Sequence, residues 1–169
     1  IKLNPEKCIF GVLAGKLLGF IVSGRGIEAN PAKIRALSQL DVPKDLKQIQ
    51  KLTGCVAALS RFISRLGEKA LPLYRLLRRT EHFEWTDAAT AGLEIKAILA
   101  RNPVLAAPNT GEPMLLYIAA THQVVSAVLV VERETDGHKF PLQRPVYYVS
   151  TVLTPCKSRY PHYQKIAYA

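Results

Sequence analysis

Carboxylates, imidazoles, hydroxyls and thiols are the groups that could do chemistry in this chain, and their spacing limits what they could do. Glu132, Glu134 and Asp136 lie close together, as ligands of a divalent cation would. The surrounding pattern puts them at the tip of a hairpin, where they read as solvated turn charges. His82, His122, His138 and His162 are scattered, without the helical pairing or ligand spacing of a metal centre. Ser126 and Ser150 fall in expected strands, with no base or elbow motif to activate them. Cys55 sits close to an apolar stripe and reads as a core residue rather than a nucleophile. No pair of adjacent aspartates occurs in the chain.

Binding chemistry is better supported. Ile49, Leu52, Val56, Leu59 and Ile63 recur at spacings of three and four and predict a helix from near Asp45 to about Ile63. On the opposite face fall Gln50, Gly54, Ala58 and Arg61. A solvent-facing glycine inside a helix costs about 1 kcal/mol relative to alanine. Flanked by Lys47 and Lys51, this track of small residues suits the close approach of something large and acidic.

Charge supports that reading. Residues 33–79 carry eleven basic and three acidic side chains, net +8 of the chain's +10, whereas residues 80–169 balance at eight of each. A concentrated basic segment is the footprint of a phosphate backbone, or else a solvated basic helix pair. Hydrophobic content of 49% excludes a disordered chain. No apolar run reaches membrane-spanning length and no signal peptide opens the sequence, so no membrane partner is expected. The three cysteines, at 8, 55 and 156, form no CxxC and favour reduced thiols in an intracellular setting, cytoplasmic or nuclear. With no initiator methionine and a last residue, Ala169, inside a helical pattern, the chain reads as a piece of a longer polypeptide.

The elements that must position the basic face follow from local signals. Residues 8–12 and 16–22 are expected to be strands around an Ala14–Gly15 turn. Asn30–Pro31 opens a helix that ends near Leu40. After the Asp45 helix, a basic helix is expected over Leu71–Arg79, with Leu73, Leu76 and Leu77 inward. Phe83–Trp85 forms a bridge, and Thr86 caps a helix over Asp87–Arg101 whose buried stripe is Leu93, Ala97 and Ile98. Residues 108–113 read as a linker. Strands over 114–118, 124–132 and 146–150 follow, with an Asp136–Gly137 turn signal, then a helix from Ser158. The order is that of an α/β or α+β chain, and α+β is the class expected.

These residues also match a family. Leu3–Cys8, Leu18–Val22, Gly26–Ile27 and Pro31–Ile34 resemble the end of a reverse transcriptase palm in gypsy-type LTR retrotransposons, closest to plant elements. Ile49–Gly54, Arg61–Ile63, Leu71–Leu77 and Phe83–Trp85 resemble the thumb. Pro145–Ser150 and Arg159–Pro161 resemble the RNase H-like module that follows. The resemblance implies a palm end over 1–40, a helical thumb or connection over 41–107, and an RNase H-like module with a mixed sheet over 108–169, cut within its first helix.

It also implies roles. Leu18, Gly19 and Phe20 match the hairpin that grips the primer end. Gln50, Gly54 and Ala58 match the thumb track along the minor groove of the template–primer, and family members can carry an aromatic where this chain has Ala58. The paired aspartates that hold Mg²⁺ in such a polymerase lie before Ile1. In the RNase H-like module the expected acids are replaced by Ala119 and Ile166, or by Gln164 under a two-residue slip. The module therefore resembles a connection-type domain that holds hybrid, with an active RNase H further downstream. The implied partners are template–primer duplex or RNA–DNA hybrid and the rest of the polyprotein, and the implied metal belongs to the complete parent enzyme. Residual Mg-dependent nuclease activity and a decayed or purely structural module are the alternatives.

Overall fold

Asn30 and Pro31 set the first boundary as their types demand. In the computed structural model, which describes residues 4–77, 84–101, 103–135 and 137–169, the Asn30 side chain accepts a hydrogen bond from the Ala32 amide and caps helix α1 (Pro31–Ser38). Before it run three antiparallel strands, β1 (Ala14–Leu17), β2 (Phe20–Ser23) and β3 (Gly26–Ala29). The turn between the first two is Leu18–Gly19, not Ala14–Gly15, and residues 8–12 form no strand. Leu18 and Gly19 both have positive φ (48° and 84°), the geometry that matches the twist of a two-residue hairpin.

Helix α2 (Leu46–Ala57) starts at Asp45, whose carboxylate accepts from the Gln48 amide. It ends six residues before the expected Ile63. Leu59 leaves the helical region, and Ser60–Phe62 tightens to a 3₁₀ turn that stacks Leu59 and Phe62 on one buried side. The expected stripe is nevertheless intact: Ile49, Leu52, Val56, Leu59 and Ile63 are all buried.

Two short helices follow, α3 (Leu66–Lys69), which the sequence did not announce, and α4 (Leu71–Leu76), with Leu73 and Leu76 buried and Leu77 half-buried. Arg78, Arg79 and Phe83 lie outside the described residues. Thr86 caps as expected, but the single expected helix is two, α5 (Asp87–Gly92) and α6 (Glu94–Ala100). The break falls at Gly92, where an added Cβ would stand 3.1 Å from Leu73 Cγ and 3.3 Å from the Lys69 carbonyl oxygen. The break also moves the buried stripe from Leu93, Ala97 and Ile98 to Ala89, Gly92, Ile95 and Leu99. Strand β4 (Val104–Leu105) then returns to pair with β3, so one buried cluster runs from Ala29 through α1–α6 to Leu105.

The second sheet is β5 (Met114–Ala120), β6 (Val124–Arg133) and β7 (Leu142–Val152). All its pairings are antiparallel, rather than mixed. The turn expected at Asp136–Gly137 falls in the β6–β7 connection, where Gly137 has φ 84° and Asp136 lies outside the described residues. The helix expected from Ser158 divides into α7 (Pro155–Ser158), capped by Thr154, and α8 (His162–Tyr168), parted at Pro161, whose ring cannot continue a helix. The overall class is α+β. Among the described residues, no helix is long and apolar enough to cross a membrane.

Sheet and helices meet at Gly67. Its amide donates to Ser150 Oγ at 2.8 Å, which lies 2.8 Å from Ser126 Oγ. A Cβ there would stand 2.9 Å from both Ser150 Oγ and Val124 Cγ1, so only glycine lets α3 lie this close to β6 and β7. The linker over 108–113 is pinned to β6: Arg133 donates two hydrogen bonds of 2.7 Å to Glu112 and a third of 2.7 Å to the Ala107 carbonyl. The Arg133 guanidinium and the Asn109 amide hold the Glu112 carboxyl at about 2, below its ordinary 4.5. A depressed carboxylate stabilises the fold above its ordinary value and loses that contribution as pH falls towards the folded-state value. The stability gap between the native chain and Glu112→Gln should therefore be full at neutral pH and shrink between pH 4.5 and about 2. Urea denaturation at stepped pH measures it, and a gap independent of pH would sink the assignment.

Candidate nucleic-acid interface

Helix α2 shows two faces, as its sequence requires. Lys47, Gln50, Lys51, Gly54 and Ala58 are exposed, opposite the buried stripe. Gly54 has neither of the usual structural reasons for a glycine. Its φ is not positive, and a Cβ on it would meet nothing within 4 Å. Its carbonyl accepts from the Ala58 amide at 3.1 Å, so the backbone under the small-residue track is regular helix to that point. Among the described residues no carboxylate pairs with Lys47 or Lys51, and the one ion pair on the basic segment is Arg65–Glu68. The basic field of α2 is thus left for solvent or a ligand.

The strand that follows the Leu18–Gly19 turn meets the 3₁₀ turn Ser60–Phe62, just beyond this helix, through Phe20. The Phe20 ring is half-buried, with its centroid 5.8 Å from that of Phe62, at the end of the chain segment that carries α2. The Arg61 guanidinium lies 4.4 Å from the centre of the same ring, a cation–π contact. Leu18 is 88% exposed at the tip, in a conformation that costs a branched side chain roughly 1–2 kcal/mol. An exposed apolar residue held under strain is a feature of functional sites. The structure therefore brings Phe20 onto the Ser60–Phe62 turn that follows α2, with Leu18 and Gly19 next to it in the chain.

Two further residues belong to this surface and were not read from the sequence. The Lys33 ammonium lies 5.6 Å from the Phe20 ring centre, and a Cβ on Gly19 would stand 3.0 Å from it. Tyr147 in β7 lies on another side of Arg61, 5.8 Å from the guanidinium. Lys33 stands in the first turn after the Asn30–Pro31 signal, where position alone gave it no role; Tyr147 is remote in sequence, and only the docking of the sheet brings it near. Arg61 is half-buried between Phe20 and Tyr147, so it ties the hairpin to the second sheet as well as lining the basic face.

Chemistry on the second sheet is limited by residue type. Ala119 in β5 pairs with Ser126 and lines an apolar cavity of about 210 Å³ with Tyr117, Tyr148 and Arg65. Ile166 lies half-buried in α8. Neither side chain can ligate a metal, and among the described residues no group of three or more His, Cys, Asp or Glu is placed to do so.

Residues 85–169 match the family described as the RNase H-like domain found in reverse transcriptase. Over 98% of its length the chain is 26% identical to the retrovirus-related Pol polyprotein from transposon 297 of Drosophila melanogaster, and over 94% it is 28% identical to the transposon Tf2-3 polyprotein of Schizosaccharomyces pombe. It spans 15% and 12% of those two polyproteins. Among solved structures, the foamy viral protease-reverse transcriptase in complex with RNA/DNA hybrid matches 92% of this chain with a TM-score of 0.72 at 20% identity, over 21% of that chain. The same protein in complex with dsDNA matches 91% with a TM-score of 0.69 at 22% identity, over 31% of its chain. The α+β arrangement of hairpin, helices and sheet is thus that of a retroviral-type reverse transcriptase segment. With half of its residues matching the family directly, the chain belongs to the RNase H-like domains found in reverse transcriptase.

Proposed function

We propose that this chain is the template–primer-holding part of a gypsy-type retrotransposon polyprotein, and that the exposed face of α2, with the Leu18–Phe20 turn, is where it holds the duplex. The observation that carries this is Gly54: a helix-interior glycine that neither φ nor packing requires, between lysines with no acidic partner among the described residues. A bare backbone lets a groove wall approach where any side chain would hold it off. Lys47, Lys51 and Arg61 supply phosphate contacts, which give affinity without reading sequence. The solved relatives named above are described with RNA/DNA hybrid and with dsDNA, which supports the same ligand class here.

On this reading residues 1–40 are the palm end, 41–107 the thumb and connection, and 108–169 the RNase H-like module. The remaining polyprotein supplies the metal-binding acids, and the setting is the cytoplasm or nucleus. We place no nuclease chemistry on residues 108–169, since Ala119 and Ile166 offer no ligand to a metal.

Fluorescence anisotropy with a labelled RNA–DNA hybrid tests the proposal. Affinity should fall by at least tenfold between about 50 and 200 mM salt and differ little between unrelated sequences. Affinity independent of ionic strength would remove the mechanism.

A further inference from the structure

A second recess lies where α4 meets the second sheet. It is a cavity of about 240 Å³ whose walls include Tyr74, Arg75, His122 and Gln123. Arg75 donates to Gln123 Oε1 at 2.8 Å. That bond occupies the amide oxygen, so Gln123 presents its NH₂ group, and the guanidinium keeps its other N–H groups. Burial pushes the Tyr74 phenol up, which keeps it protonated as a donor. Among the described residues no carboxylate lines the cavity. Glu68, in the adjoining groove, is engaged by Arg65 through two hydrogen bonds of 2.7 Å.

Positive charge also stands behind the wall. Lys165 is only 6% exposed, and its ammonium donates to the His122 carbonyl at 3.3 Å. Among the described residues no acid pairs with it. A buried cation without a counter-charge is costly, and Lys165, which does not itself line the cavity, adds positive potential behind the His122 backbone. Leu71, Val152, Leu153 and Pro155 make part of the lining apolar, and Ser158 adds a hydroxyl. Donors on the wall, no carboxylate among the described lining residues, an apolar part of the lining and a small volume suit a phosphate carried on a small organic group.

We propose that this cavity is a phosphomonoester subsite that takes a phosphorylated pentose, either as the 5′ end of a nucleic-acid strand or as a free sugar phosphate. Arg75 and the Gln123 amide hold the phosphate oxygens, Tyr74 and His122 donate from the sides, and the sugar lies on Leu71 and Pro155. The subsite does not rest on the duplex-holding role of α2, because none of Lys47, Lys51 and Gly54 lines it.

The test is an NMR titration of the whole chain with ribose 5-phosphate, and with one tetranucleotide bearing either a 5′-phosphate or a 5′-hydroxyl. Saturable shifts at the amides of Tyr74, Arg75, His122 and Gln123 are expected. Arg75→Gln should weaken binding by about tenfold. Tyr74→Phe removes only a hydroxyl and should cost about threefold, so the proposal stays testable if the Arg75 variant fails to fold. Binding of ribose 5-phosphate assigns a free sugar phosphate; preference for the phosphorylated tetranucleotide over its hydroxyl twin assigns a strand end. Non-saturating shifts spread over the basic surface, no loss in either variant, or equal binding of the two tetranucleotides without binding of ribose 5-phosphate would overturn it.

Discussion

Gly26→Ala should lower the stability of the fold by about 4 kcal/mol, a large share of what a domain this size possesses. Gly26 has φ 126°, a conformation that residues with a Cβ rarely adopt, and the added Cβ would stand 2.0 Å from the Leu105 carbonyl oxygen. Nothing at the end of a flexible side chain can yield there, because the obstacle is backbone. Either β3 must rotate or β4 must leave, and Leu105, buried at 1% exposure, leaves the core with it. The hairpin that carries Leu18 would then lose its β4 pairing and rest on the Phe20–Phe62 contact. Gly24→Ala is the control: two residues away, with no positive φ and nothing within 4 Å of the new Cβ, it should be close to neutral. Chemical denaturation of the two variants decides the matter, and equal midpoints would contradict the close approach of β3 and β4.

Substitution at Gly54 should have the opposite effect on stability and the larger effect on binding. Gly54→Ala should stabilise the fold by about 1 kcal/mol, since the helix gains propensity and the new methyl meets no neighbour. Gly54→Trp should also fold, because its side chain projects into open space. Yet Trp should reduce affinity for an RNA–DNA hybrid by about tenfold, roughly 1.4 kcal/mol, by holding the groove wall away from the helix. Stability that rises while affinity falls identifies a residue kept for contact rather than for folding. Unchanged affinity for Gly54→Trp would move the contact surface off this face of α2.

The exposed face that carries the proposed site was legible from the sequence, and for a local reason. The face of α2 follows from helical periodicity alone, so Lys47, Gln50, Lys51, Gly54 and Ala58 emerge on one exposed side as expected. Asn30, Asp45 and Thr86 act as caps through bonds to amides two or three residues away, which is also local information. What was missed depends on distant partners. Gly26 reads as the end of a hairpin until β4 arrives from residues 104–105 to pair with β3. Gly92 divides a helix because α4 crosses it, and the stripe expected from an unbroken helix shifts accordingly. Arg61 was assigned to the groove face, whereas its guanidinium also stands between Phe20 and Tyr147. The Leu18–Gly19 turn was misplaced by its own chemistry: a leucine at positive φ violates the residue preferences from which turns are read.

The salt dependence of hybrid binding in the double variant Lys47→Ala, Lys51→Ala tests the central claim most directly. If both lysines neutralise phosphates, the slope of log affinity against log salt should become shallower by about two relative to the native chain. An unaltered slope would contradict the account, because the phosphate contacts would then lie elsewhere than the face that bears Gly54.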